Sequence, residues 1–104
     1  MTTRLVEFHR LATKDYVRGR RWYFKEGGDP LEQRFVDAVE SATERIATAA
    51  EQCPPYDDEF RWVMTKDFPY LLYFYVWDDT RATVYGVGHE HRRPGYWRRR
   101  FRHP

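Results

Sequence analysis

Eight consecutive residues, Tyr70-Leu71-Leu72-Tyr73-Phe74-Tyr75-Val76-Trp77, are apolar or aromatic, the longest such run in the chain. Eight residues is the length of a strand and far short of the roughly 18–20 needed to cross a membrane. Side chains alternate between the faces of a strand, so a run with no polar position is apolar on both faces. Such a strand needs cover on both sides. The run therefore predicts a central strand, with helices on one face and aromatic side chains over part of the other.

The helical cover is legible upstream. After Asp29-Pro30, the residues Leu31, Phe35, Ala38, Val39, Ala42, Ile46 and Ala49 recur at spacings of mostly three and four, which makes one apolar helix face. Aspartate caps free N–H groups at a helix start, and proline tolerates the first helical position. Cys53-Pro54-Pro55 closes this helix, because the residue before a proline is pushed out of the helical region. An earlier helix is expected over Leu11–Lys25. Its rows are mixed: Leu11, Lys14 or Asp15, Arg18 and Trp22 on one, Tyr16, Arg20, Tyr23 and Phe24 on another. Thr13 offers a cap if the helix starts late, and Glu26-Gly27-Gly28 is its stop.

Arg4–His9 reads as a short strand, and Phe60, Trp62 and Met64 alternating with Arg61, Val63 and Thr65 read as another. After the turn Asp78–Arg81, a returning strand runs from Ala82 to His89. Strict alternation puts Thr83, Tyr85, Val87 and His89 on one face and Ala82, Val84, Gly86 and Gly88 on the other. The order β-α-α-β-β-β predicts an α+β fold, with a helical hairpin packed on one face of a mostly antiparallel sheet.

Length and composition fit one domain spanning residues 1–104. Phe, Trp and Tyr together number nineteen, enough for a small core when each buried ring removes roughly 150–250 Å² from water. The single cysteine, Cys53, excludes an intrachain disulfide and a multi-cysteine zinc site. Residues 1–10 lack the apolar stretch of a secretory signal, so the cytoplasm is the expected address, with no membrane contact. The charge is uneven. Residues 91–104 hold six arginines (92, 93, 98, 99, 100 and 102) and no acid; with +2 overall, the rest of the chain carries −4. A basic block of this kind suits a polyanion or an acidic protein partner.

Four groups of residues carry candidate chemistry. Phe68-Pro69-Tyr70 leads into the central strand and reads on its own as a turn proline between core aromatics. His89-x-x-Arg92-x-Pro94-x-x-Trp97-x-x-Arg100 offers an imidazole at a strand end, guanidinium forks for carboxylate or phosphate, and an indole. Its plain structural reading is a capped sheet edge with Trp97 packed on the helices. His89-Glu90-His91 places two imidazoles on one side of a strand, but no third ligand stands at a suitable spacing, so no metal is expected. Asp57-Asp58-Glu59 precedes Arg61; it reads as a solvated acidic loop, or as an acid near His89 for proton transfer.

Taken together, Phe68-Pro69-Tyr70-Leu71 with Tyr73, followed by His89, Arg92, Pro94, Trp97 and Arg100, resemble the RelE/ParE superfamily, the toxins of bacterial type II toxin–antitoxin modules, also called plasmid stabilisation proteins. The resemblance runs from the Leu5 strand to Arg100 and implies a cytoplasmic toxin neutralised by a cognate antitoxin. ParE-like members inhibit DNA gyrase by binding. RelE-like members enter the ribosome and cleave mRNA. The motifs look more ParE-like, which implies contact with target or antitoxin through His89, Arg92, Arg93, Tyr96, Trp97, Arg98, Arg99 and Arg100. The ribonuclease alternative places Arg61 and Arg81 on phosphate and His89 or His91 in proton transfer, in loose overlap with a Glu/Arg/His pattern through Glu59. A non-toxic basic binding module is the third reading. None of the three implies a cofactor or a small-molecule substrate.

Overall fold

The computed structural model describes residues 3–102. Four strands form one mixed sheet: β1 (Leu5–Phe8), β2 (Arg61–Met64), β3 (Tyr70–Val76) and β4 (Arg81–His89), in the spatial order β1-β4-β3-β2. The two pairings of β3 are antiparallel, whereas β1 runs parallel to β4 with Leu5 opposite Arg81. The apolar run is thus an interior strand, as its two-faced hydrophobicity requires.

Between β1 and β2 lies α1 (Arg10–Ala49), interrupted at Gly27 and Gly28, whose backbone angles are not helical. Gly28 has φ of 68°, a left-handed value that glycine adopts without a steric penalty. The chain reverses there. Arg20 and Glu32 would stand about 18 Å apart on a continuous helix, yet their side chains meet at 3.1 Å. The result is the expected helical hairpin. The helix starts at Arg10 rather than after Thr13; the cap is His9, whose Nδ1 accepts the Leu11 N–H at 3.1 Å. A 3-10 turn, Ala50–Gln52, ends the helical segment before the prolines.

The second arm buries Phe35, Ala38, Val39, Ala42 and Ile46 against Val63, Leu72, Phe74, Val84 and Val87 of the sheet. The first arm buries only Ala12, Asp15 and Gly19, which explains its weak stripe. Tyr16 and Tyr23 of that arm turn sideways onto Phe35, with ring centroids 6.1 and 4.9 Å away.

The opposite face of the sheet carries a second, aromatic cluster. Phe60, Tyr85, Trp97 and Phe101 are buried there, flanked by Tyr73, Tyr75, Trp77 and Tyr96. Trp97 therefore packs across the sheet from the helices, not on them. It is fully buried, stacked on Tyr73 at 4.9 Å and set edge-on to Phe60 at 4.6 Å.

Strict alternation fails in β4, and the reason is a β-bulge. Tyr73 pairs with Gly86 while Phe74 pairs with Val84, so Tyr85 is an extra residue. One inserted residue exchanges the faces of everything after it. Val87 consequently joins Ala82 and Val84 in the helix-side core. Gly86 and Gly88 lie beneath Trp97 and Tyr96. A Cβ at Gly86 would sit 2.8 Å from the Trp97 Cβ, so this position has room only for hydrogen.

Gly86→Ala is expected to cost about 1–3 kcal/mol through overpacking, and Trp97→Ala about 3–5 kcal/mol through cavity formation. Urea unfolding of the two variants checks both values.

Candidate functional site

The segment after β4 wraps around the edge of the sheet and ties its two faces together. Beyond Val84, β4 has no strand neighbour on the β1 side, because the chain leaves β1 and enters α1. Backbone groups on a buried strand edge need partners. A side-chain pair supplies them: Asp15 Oδ2 accepts the Val87 N–H at 3.2 Å, and Arg100 Nη1 donates to the Tyr85 carbonyl at 2.9 Å. Arg100 Nη1 also donates to Asp15 Oδ2 at 2.6 Å, and Arg92 Nη1 to Oδ1 at 3.2 Å. Arg18 lies 3.7 Å from the same carboxylate. The Asp15 side chain is 2% exposed and that of Arg100 11%, so this is a buried, charge-assisted network.

Two of the motif arginines are thereby engaged inside the molecule. Arg92 also covers the ring of Tyr96, its guanidinium 3.6 Å from the centroid. The Tyr96 hydroxyl and the Trp97 Nε1 are buried without hydrogen-bond partners. Burial, and then the charge of Asp15, push the Tyr96 phenol well above the ordinary tyrosine range. Arg98 is held by the acidic loop: it pairs with Asp57, and its Nη2 donates to Glu59 at 3.4 Å. Asp57 in turn accepts the Glu59 and Phe60 N–H groups at 2.8 Å through Oδ1. The acids therefore clasp the basic segment and do not face His89. Arg93 and Arg99 are exposed, with no acidic partner among the described residues.

His89 ends β4 and lies at the rim of an open groove of about 340 Å³ together with Arg18, Tyr70 and Arg92. Its Nδ1 accepts the His91 N–H at 3.1 Å, and the two imidazoles stack with centroids 5.1 Å apart. The turn past His89 thus brings the rings together, where an extended strand would separate them by roughly 6.5–7 Å. Among the described residues no three His, Cys, Asp or Glu side chains converge as metal ligands.

The other residues of the ribonuclease set lie elsewhere. Arg61 Nη1 donates to the Cys53 carbonyl at 2.6 Å and so fastens the end of the helical segment to β2. Arg81 sits over the Trp77 ring at 5.2 Å, at the opposite end of β4 from His89. Eight residues of strand separate them, about 26 Å. Glu59 is engaged with Arg98.

Residues 6–94 match the family described as ParE toxin of the type II toxin–antitoxin system, parDE. The chain belongs to the ParE toxin family. The fold agrees. A solved structure, the chromosomal ParDE toxin–antitoxin system from P. aeruginosa, superposes with a TM-score of 0.71 at 14% identity, covering 84% of this chain and 96% of that one. Among curated proteins, none matches the chain. The ParE match ends at Pro94, so Trp97, which fills the aromatic face, and Arg100, which closes the sheet edge, lie beyond it.

Asp15 was the residue that sequence reasoning missed. Its only sequence signal is an acid on the same helical row as Leu11, and its arginine partners stand 77 and 85 residues away. Removing one side of a buried ion pair costs about 3–5 kcal/mol. Asp15→Asn is expected to lose stability on that scale, and the half-buried Arg92→Ala less than Arg100→Ala, in urea titrations of the three variants.

Burial also raises the phenols of Tyr16, Tyr23, Tyr70, Tyr73 and Tyr85. The folded state then keeps its phenols neutral where the unfolded chain ionises. Stability is full below the unfolded value near about 10 and falls as pH rises past it. Tyr96→Phe is expected to change stability little at neutral pH and to flatten the alkaline decline. Unfolding midpoints measured at several pH values between about 8 and 11 test this.

Proposed function

We propose that this ParE-family toxin arrests growth by binding DNA gyrase in the cytoplasm, without cutting nucleic acid, and that a cognate antitoxin neutralises it. One observation carries the choice of binding over cleavage. A ribonuclease needs a free phosphate cation and a proton carrier around one scissile bond, yet Arg81 and His89 occupy opposite ends of β4, Arg61 is bonded to the Cys53 carbonyl, and the arginines that do stand near His89, Arg92 and Arg18, are drawn onto Asp15. The family membership supports the toxin class. No helix among the described residues is long and apolar enough to cross a membrane.

The antitoxin's seat in this reading is an open groove of about 840 Å³ between the helical hairpin and β1. Phe8, Tyr16 and Val39 line it, and Asp37, Glu40 and Glu44 stand around it. An amphipathic segment entering it presents apolar side chains to the floor and basic ones to these acids. The acidic complement expected from the arginine-rich end does not fit this groove.

Purified toxin is expected to inhibit supercoiling by gyrase, and induced cells to show a DNA-damage response with intact mRNA. Arg61→Ala and His89→Ala should leave arrest in place. Codon-positioned mRNA cuts that vanish in His89→Ala would overturn the proposal. Co-expression of the neighbouring reading frame should restore growth. Glu40→Lys combined with Glu44→Lys should weaken antitoxin binding at least tenfold, read by calorimetry.

A further inference from the structure

Acids engage three of the six arginines at the basic end, and the other three have no acidic partner among the described residues. Arg92 and Arg100 are held by Asp15, and Arg98 by Asp57 and Glu59. Arg99 and Arg102 have no acidic partner among the described residues; Arg102 donates only to the Arg99 carbonyl, at 3.4 Å. Both line one open cavity of about 340 Å³, and Arg10, from the start of α1, lines it too. Arg10 likewise has no acidic partner among the described residues. The remaining wall includes His9, Tyr96 and Arg100, whose guanidinium is bonded to Asp15, and no carboxylate among the described residues. The imidazole of His9 registers this field. Burial first, then Arg10, Arg100 and Arg102, hold it below the ordinary histidine value.

Three exposed guanidiniums around one concavity, with no acid among them, match a row of oxyanions spaced along a polymer. We propose that this cavity seats backbone phosphates of a nucleic-acid duplex. Guanidinium forks bind phosphate oxygens in two-point fashion, and such contacts are indifferent to base sequence. The duplex is favoured over a single strand because sequence-tolerant single-strand sites stack bases on exposed rings. Of the two rings here, Tyr96 is covered by Arg92 and buries its hydroxyl, while the His9 imidazole leans on Tyr85 and is held by the Leu11 N–H. An acidic peptide is disfavoured because the groove assigned above to the antitoxin lies elsewhere and carries acids of its own. The inference does not depend on gyrase being the target, and its test contains no gyrase.

The test is fluorescence anisotropy of a labelled DNA duplex of arbitrary sequence, titrated with the full-length chain at several salt concentrations. Three neutralised phosphates predict a log–log salt slope of about −2.7, or about 40-fold weaker binding when salt rises fourfold. The triple variant Arg10→Gln/Arg99→Gln/Arg102→Gln is expected to bind at least tenfold more weakly, with a slope shallower by two or more. Arg99→Gln alone should show a partial loss, and Arg98→Gln, whose charge is already paired, a change within twofold. Thermal melts establish that each variant is folded. Equal binding of duplex RNA supports the proposal and identifies the phosphodiester backbone as the ligand; preference for DNA supports it with B-form spacing. Absence of duplex binding at low salt, a triple variant that binds like the parent, or tighter binding of polyglutamate than of duplex DNA at equal ionic strength would each overturn it.

Discussion

The structure hangs on a carboxylate standing in for a strand. Where β1 gives way to α1, the outer edge of β4 loses its neighbour, and Asp15 with Arg100 takes over the Val87 N–H and the Tyr85 carbonyl. That substitution has three effects. It fixes the first helical arm to the sheet although few apolar side chains lie between them. It anchors the segment after β4, so that Trp97 and Phe101 close the aromatic face. And it engages Arg92 and Arg100 with one carboxylate, which turns both guanidiniums inward, away from partners. A buried ion pair contributes less to net stability than to specifying one arrangement when its geometry is complete. Here the arrangement specified is the wrap of the chain end around the sheet.

Much of the architecture was legible because its signals are local. The two-faced run at 70–77, the periodic face from Phe35 to Ile46, and the Gly27-Gly28 break each state their role within a few residues. What escaped depends on geometry that no short window contains. The bulge at Tyr85 has no marker in the alternation around it, yet it moves Val87 into the helix-side core. The His9 cap gives no sequence signal, because an imidazole nitrogen is not the usual capping acceptor. The parallel pairing of β1 with β4 depends on where the hairpin delivers the chain.

The candidate site was legible as a set of residues but not as a set of roles. His89, Arg92, Trp97 and Arg100 stand where the motif puts them, yet Trp97 is core and the two arginines face inward. An arginine-rich segment reads as a surface until its acids are found, and these come from Asp15 and from the loop at 57–59. The cationic cavity combines Arg10 with Arg99 and Arg102, from opposite ends of the sequence. A linear count of charge identifies the excess but not where it converges.

The sheet is also completed late. Leu5 pairs with Arg81, and the Asp15 carboxylate meets Arg100 only across 85 residues of chain. Contacts so distant in sequence form after loop closure has been overcome, which slows folding relative to a helical bundle of the same size. On a ribosome, which releases the chain from its N-terminus onward, the hairpin and β1 emerge before the residues that neutralise Asp15 and seal the aromatic face. A nascent chain therefore lacks its closing clasp until synthesis reaches the arginines.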